Sequence, residues 1–204
     1  HIKTSILPAG VDVNLFKPIK KLEVLTMVYH GRLDRHRGIM AAVMLAHKAR
    51  QEGVEINLKL IGEGDATTDL QSIASEVDYI EVKDKMAQAK VAQEIAACHI
   101  GVLPMPNRTA WILASPLKRS EYLASGLCVF GVDHEGHRLE QEKPWFVLAA
   151  QEDFHEVGLE YLKNFKIHEK AQSQEARTFA EQHCGWDKAI RNLKDGIHST
   201  MTDS

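Results

Sequence analysis

Three stretches of this 204-residue chain are rich in glycine, in cations or in both. Cations held next to open backbone N–H groups are the chemistry of anion binding. The first stretch, Gly31-Arg32-Leu33-Asp34-Arg35-His36-Arg37-Gly38, carries three arginines between two glycines. The second, Gly62-Glu63-Gly64, lacks the side chains that would keep a ligand off the backbone. The third runs Ser115-Pro116-Leu117-Lys118-Arg119 and continues through Glu121 to Gly126. Ser115 can cap a helix, Pro116 suits its first turn, and Gly126 can end it. Such a helix entry presents free N–H groups with the Lys118 ammonium close by, a setting for phosphate. Arginine and lysine over exposed N–H groups suit a diphosphate in particular. Each loop alone reads as a glycine turn with solvated cations; three together carry the argument.

Other chemistry is thinner. Asp12 and Asn14 do not form an acidic metal motif, and the eleven histidines have no ligand spacing. His134 and His137 lack a third ligand and read as loop residues, so no metal site is expected. No Ser/His/Asp constellation can be assembled. Trp111 near the third loop could be a sugar platform or a packing aromatic. On spacing alone, Glu121 reads as a surface residue or as a partner of Lys118 one helical turn away.

These loops need elements to hold them. Leu25–Tyr29 is an apolar, strand-forming run, after which Ile39, Ala42, Val43 and Ala46 recur at helical spacing up to Gly53. Ile56–Ile61 reads as a second strand, a helix near Asp69–Ser75 follows, and Tyr79–Val82 is a short strand. A helix with Val91 and Ile95 on one face precedes the strand Ile100–Leu103. The helix from Ser115 then leads to strands Cys128–Val132 and Trp145–Ala149. Alternating strands and helices, with strands apolar on both faces, predict a Rossmann-like three-layer α/β/α domain with a parallel sheet. Ligands of such sheets gather at the carboxyl ends of the strands, which puts all three loops on one edge. Residues 152–204 read as polar helices anchored by Phe165, Phe179 and Trp186.

Composition fits one domain: 44% of residues are apolar, and the net charge is −3. That charge gives no general affinity for nucleic acid or an anionic membrane. No apolar stretch is long enough to span a bilayer, and no signal peptide is expected. Cys98, Cys128 and Cys184 are few and widely spaced, as in a cytoplasmic protein with reduced cysteines. The chain opens on His1 and is expected to be a piece of a longer protein.

The order and spacing of several motifs resemble the C-terminal domain of family 4 glycosyltransferases (glycosyl transferases group 1), one half of the GT-B fold. The matching stretches are Ile6–Asp12 with Phe16-Lys17-Pro18, Tyr29–Gly38, Leu60–Gly64, Ile100–Pro104, Ser115–Val129 and Trp186. The resemblance covers nearly the whole chain. It implies residues 1–204 as a single nucleotide-sugar-binding domain, with 1–18 the interdomain strand and linker and 152–204 the C-terminal helices. The N-terminal acceptor domain would be absent. The implied activity is a retaining glycosyltransferase of hexosyltransferase type, using a nucleotide-diphosphate sugar (UDP or GDP expected) without a metal or other cofactor. The acceptor would be a glycan, lipid or small molecule reached through the missing domain, and the isolated domain would be inactive alone. A cytoplasmic location is implied, with peripheral attachment of the full-length protein to the inner membrane face compatible with it.

The resemblance also implies roles. Arg32 matches the arginine that contacts the donor diphosphate, and Arg37 stands where the family has lysine. Glu121 matches the second glutamate of a pair and would hold the nucleotide ribose. The first glutamate would fall at Leu113, which leaves sugar recognition open. A subgroup with a Ser-Pro-Leu-Lys loop is closer still, and there the backbone of Leu117 and Lys118 binds phosphate. Gly31, Gly62, Gly64, Ser115 and Pro116 belong to the same donor site, and the base would lie near Val82 and Lys83, although Asp84 replaces the usual glycine. Arg32, Arg37 and Lys118 would stabilise the leaving group and Glu121 would orient the donor. The alternative from another class is an inactive nucleotide-binding or interaction module of the same fold, which Leu113 favours. A nucleotide-sugar epimerase on this fold is a third reading.

Overall fold

A computed structural model of the protein describes residues 10–114, 117–167 and 170–201. The expected interdomain strand lies largely outside the described residues, as do Ser115 and Pro116. Six strands, β1 (Leu25–Arg32), β2 (Ile56–Glu63), β3 (Ile80–Lys83), β4 (Ile100–Leu103), β5 (Cys128–Val132) and β6 (Phe146–Ala149), form one sheet. Their order is β3-β2-β1-β4-β5-β6 and every pairing is parallel. β4 and β5 are buried at every residue, which explains their unbroken apolar sequence.

Eight helices accompany the strands among the described residues: α1 (Ile39–Gln51), α2 (Thr67–Glu76), α3 (Gln88–Ala96), α4 (Thr109–Ile112), α5 (Leu117–Ala124), α6 (Phe154–Lys163), α7 (Lys170–His183) and α8 (Trp186–Met201). α1 packs on α6, whereas α5 packs on α7 and α3, giving the expected three layers. Ile39, Ala42, Val43 and Ala46 form the buried stripe of α1 as predicted. Gly126, with φ of 67°, ends α5 in the left-handed conformation that glycine adopts without strain. Among the C-terminal anchors, Phe165 and Phe179 pack against the core. Trp186 instead is 51% exposed and lies over Gly10.

The strand order reverses between β1 and β4. A doubly wound sheet opens a crevice there, outside its carboxyl edge, because the chain leaves the two strands toward opposite faces. Gly38 brings the exit loops of these strands together: a Cβ on it would stand 2.0 Å from the Pro104 carbonyl oxygen.

Candidate functional site

β1 and β2 run on past their predicted ends because the parallel register continues through Gly31 opposite Gly62 and Arg32 opposite Glu63. The two glycine loops are therefore one layer. A Cβ on Gly62 would lie 1.9 Å from the Gly31 carbonyl oxygen, and one on Gly64 would lie 2.4 Å from the Leu33 carbonyl. In the direction a side chain would take, these glycines thus meet the protein's own backbone. The Gly64 N–H is also engaged, donating to Thr67 Oγ1 at 2.8 Å.

The β1 exit carries a residue whose role the sequence reading missed. Asp34 is buried, and its carboxylate binds two guanidinium groups. Arg32 donates through Nε and Nη2 at 3.3 and 3.1 Å, and Arg37 donates through Nε at 3.2 Å. The Arg32 hydrogen bond is the main reason the Asp34 carboxyl is held below its ordinary range. Arg35 pairs with Asp69 instead. The expected cationic mouth is therefore largely compensated by carboxylates. The available signal was the Asp34 position itself, between Arg32 and Arg37 in one tight turn. Trp111 supports the same cluster, stacking on His36 and lying 4.7 Å beneath the Arg37 guanidinium.

Lys118, in the first turn of α5, reaches this loop from across the switch point. Its Nζ lies 5.3 Å from the Tyr29 ring centre and 3.2 Å from where a Cβ of Gly31 would sit. No carboxylate pairs with it among the described residues. Burial pulls its pKa down to about 8, with Arg37 acting the same way and Glu121 opposing. The structure thus brings Gly31, Arg32, Arg37 and Lys118 together.

Glu121 is buried rather than on the surface, and its partner is not Lys118. His30 Nε2 stands 3.1 Å from Glu121 Oε2, close enough for an ion pair but not aligned as a hydrogen bond. Tyr122, next along α5, receives a hydrogen bond from the His30 backbone N–H at 3.3 Å. Leu113 is 81% exposed at the end of α4, and Leu117 is also exposed. At the sheet edge, Val82 and Lys83 close β3, but the Lys83 ammonium is tied to Glu94 at 2.8 Å. His134 and His137 are buried in the loop after β5 with ring centres 3.7 Å apart, and burial pushes His137 down to about 3. Among the described residues, no three His, Cys, Asp or Glu side chains are grouped to hold a metal ion. The three cysteines are free, and no described helix is long and apolar enough to cross a membrane.

A family profile described as glycosyl transferases group 1 matches residues 25–164. No curated protein matches the chain in sequence. Among solved structures, the chain is similar to a pneumococcal O-GlcNAc transferase in complex with UDP and GlcNAc, at 14% identity and a TM-score of 0.65. That match covers 91% of this chain and 38% of the transferase. The C-terminal domain of a glycosyl transferase group 1 family protein from Francisella tularensis matches at 13% identity and a TM-score of 0.64, over 86% of this chain and 99% of that domain. The Anabaena protein HepE, in complex with UDP-glucose, matches at 13% identity and a TM-score of 0.63, over 95% of this chain and 56% of HepE. At these identities the likeness is one of fold. This chain spans well under half of the pneumococcal enzyme.

Proposed function

We propose that this chain, which belongs to the glycosyl transferases group 1 family, is the donor-binding half of a retaining glycosyltransferase. It would hold a nucleotide-diphosphate sugar while an N-terminal domain supplies the acceptor. The observation that carries this reading is the meeting of Lys118 with Gly31 at the switch point. A half-buried ammonium with no carboxylate partner among the described residues faces the loop that carries Arg32 and Arg37. The pneumococcal enzyme bound to UDP and the HepE protein bound to UDP-glucose support a uridine nucleotide as the first ligand to test.

Transfer breaks the bond from the anomeric carbon to the diphosphate, and negative charge grows on the leaving phosphate. Fixed donors aimed at that charge lower the barrier without reorganising. Arg32, Arg37 and Lys118 take that role, with the backbone of Leu117 and Lys118 at the α5 entry. Asp34 aims the two arginines through its shared carboxylate. Glu121 orients the donor through the ribose, held in place by His30. Gly31, Gly62 and Gly64 let the β1 and β2 exits lie flat under the diphosphate, and Val82 and Lys83 flank the base. Ser115 and Pro116 complete the phosphate loop in this reading. The transferred group is a hexose, no metal takes part, and the protein works in the cytoplasm or against the inner membrane face.

Calorimetric titration with UDP, GDP and ADP tests the donor role. Binding of one nucleotide, weakened at least tenfold (about 1.4 kcal/mol) in an Arg32→Ala, Lys118→Ala variant, is expected. Equal binding by that variant would sink the assignment.

A further inference from the structure

Tyr29 is the one phenol in β1, and it is fully buried although its hydroxyl is polar. Burial pushes the phenol up to about 12, with Arg37 opposing, so it stays a neutral donor around pH 7. A buried hydroxyl needs an acceptor, and this one finds it three residues along its own strand. It donates to the Arg32 carbonyl, the last of β1, at 3.0 Å. The phenol therefore pins the residue from which the Arg32 guanidinium departs.

The ring of Tyr29 meets a cation from another element. Lys118 sets its Nζ 5.3 Å from the ring centre, within the range of a cation–π contact. The end of its stem lies against Gly31. Cε stands 3.1 Å and Nζ 3.2 Å from where a Cβ there would be, so any side chain at that position would press on the ammonium.

Two other rings among the described residues carry cations. Arg37 stands over Trp111 and Arg50 over Tyr79, at 4.7 and 4.9 Å. Each of those guanidinium groups also has a carboxylate, Asp34 for Arg37 and Asp78 for Arg50. Lys118 has none within ion-pair reach among the described residues. An aromatic face attracts an ammonium without adding net charge. A carboxylate in its place would neutralise Lys118 and compete with an incoming anion, whereas the ring does neither. The Lys118 side chain is half-buried rather than enclosed.

We propose that Tyr29 is a positioning residue for the donor diphosphate: its ring seats the Lys118 ammonium and its hydroxyl holds the Arg32 carbonyl, so that both cations serve one anion. This inference rests on the donor-binding reading and adds to it the residue that couples the two cations. Tyr29 acts through them and does not touch the ligand.

The test is a double-mutant cycle on nucleotide affinity, measured by calorimetry with whichever of UDP, GDP and ADP the wild type binds. Tyr29→Leu is expected to weaken binding about tenfold, but less than about twofold in a Lys118→Met background. Tyr29→Phe keeps the ring and loses only the hydroxyl, so it should cost roughly threefold, and nothing further in an Arg32→Ala background. A merely structural role gives equal losses in both backgrounds of each cycle, and that result would overturn the proposal, as would full affinity in Tyr29→Leu.

NMR of the unliganded chain supplies a readout independent of any nucleotide. The Lys118 ε-methylene protons should lie upfield, under the ring current, in wild type and in Tyr29→Phe, and lose that shift in Tyr29→Leu. Equal positions in Tyr29→Phe and Tyr29→Leu would overturn the seat. If Tyr29→Leu does not fold, random-coil positions in both wild type and Tyr29→Phe would overturn it instead. If the wild type binds none of the three nucleotides, the donor reading falls and the positioning role with it, whereas the upfield shift still reports whether Tyr29 seats Lys118.

Discussion

His30 Nε2 and Glu121 Oε2 stand 3.1 Å apart with both side chains 12% exposed, so the carboxylate assigned to the ribose is buried against an imidazole from β1. Burial holds the His30 pKa below its ordinary value, while Glu121 raises it and Lys118 lowers it further. A base whose folded pKa is depressed binds fewer protons folded than unfolded, between its folded pKa and the ordinary 6.5. Stability should therefore rise with pH across that window and level off above it. Urea midpoints at pH 5 and pH 7.5 check the sign. Glu121→Gln removes the group that raises the pKa, so the His30 imidazole should titrate lower still by NMR.

Lys118 carries the second prediction. Its pKa is drawn from 10.5 to about 8 by burial, so the unfolded chain holds the extra proton between those values. The Lys118 contribution to stability thus increases as pH rises from about 8 to 10.5. Lys118→Met should stabilise the unliganded chain at pH 7 by on the order of 1–3 kcal/mol and weaken nucleotide binding. A diphosphate beside Nζ favours the ammonium, so binding at pH 8.5 should take up a proton. Calorimetry in buffers of different ionisation enthalpy measures that uptake, and proton release would contradict the assignment.

Much of this fold was legible because β4 and β5 are unbroken apolar runs whose ends matched the prediction. β1 and β2 were read short because glycine signals an exit, whereas here Gly31 and Gly62 pair within the sheet. α4 escaped because its four residues are too few to establish a period. At the site, Arg32, Arg37 and Lys118 stood out as cations in glycine-rich or capped turns. Asp34 did not, since a carboxylate among arginines reads as dilution of charge until geometry places it between them. The pairing of His30 with Glu121 joins distant segments, and no local pattern encodes it.

Asp34 yields the third prediction. One buried carboxylate aims two arginines, and an amide in its place offers a single neutral acceptor. Asp34→Asn should weaken nucleotide diphosphate binding about tenfold, or ~1.4 kcal/mol, by loosening both guanidinium groups. Tighter binding would mean that Asp34 competes with the ligand instead of positioning its donors. Because Arg32 holds the carboxyl below its ordinary range, its stabilising effect is full above the ordinary value of 3.8 and fades as pH falls through the lower folded value. Acid unfolding of wild type and Asp34→Asn should accordingly converge.

Gly64 and Gly53 separate two ways in which an added methyl can harm this protein. At Gly64 a Cβ would meet the Leu33 carbonyl at 2.4 Å and Asp34 Oδ1 at 2.5 Å, so the cost is collision with backbone that cannot step aside. At Gly53 nothing lies within 4 Å, but φ is +82°, so the cost is conformational alone. Gly64→Ala should lose about 1–3 kcal/mol of stability and Gly53→Ala about 1–2 kcal/mol. Stability alone therefore does not tell them apart, but binding does. The Gly64 methyl pushes on Asp34 and so on the aim of Arg32 and Arg37, whereas Gly53 lies beyond the end of α1, away from the crevice. Nucleotide affinity should fall in Gly64→Ala and stay at the wild-type value in Gly53→Ala, measured well below both melting points. Equal losses would show that affinity follows global stability, and the Asp34 loop would then have no special hold on the ligand.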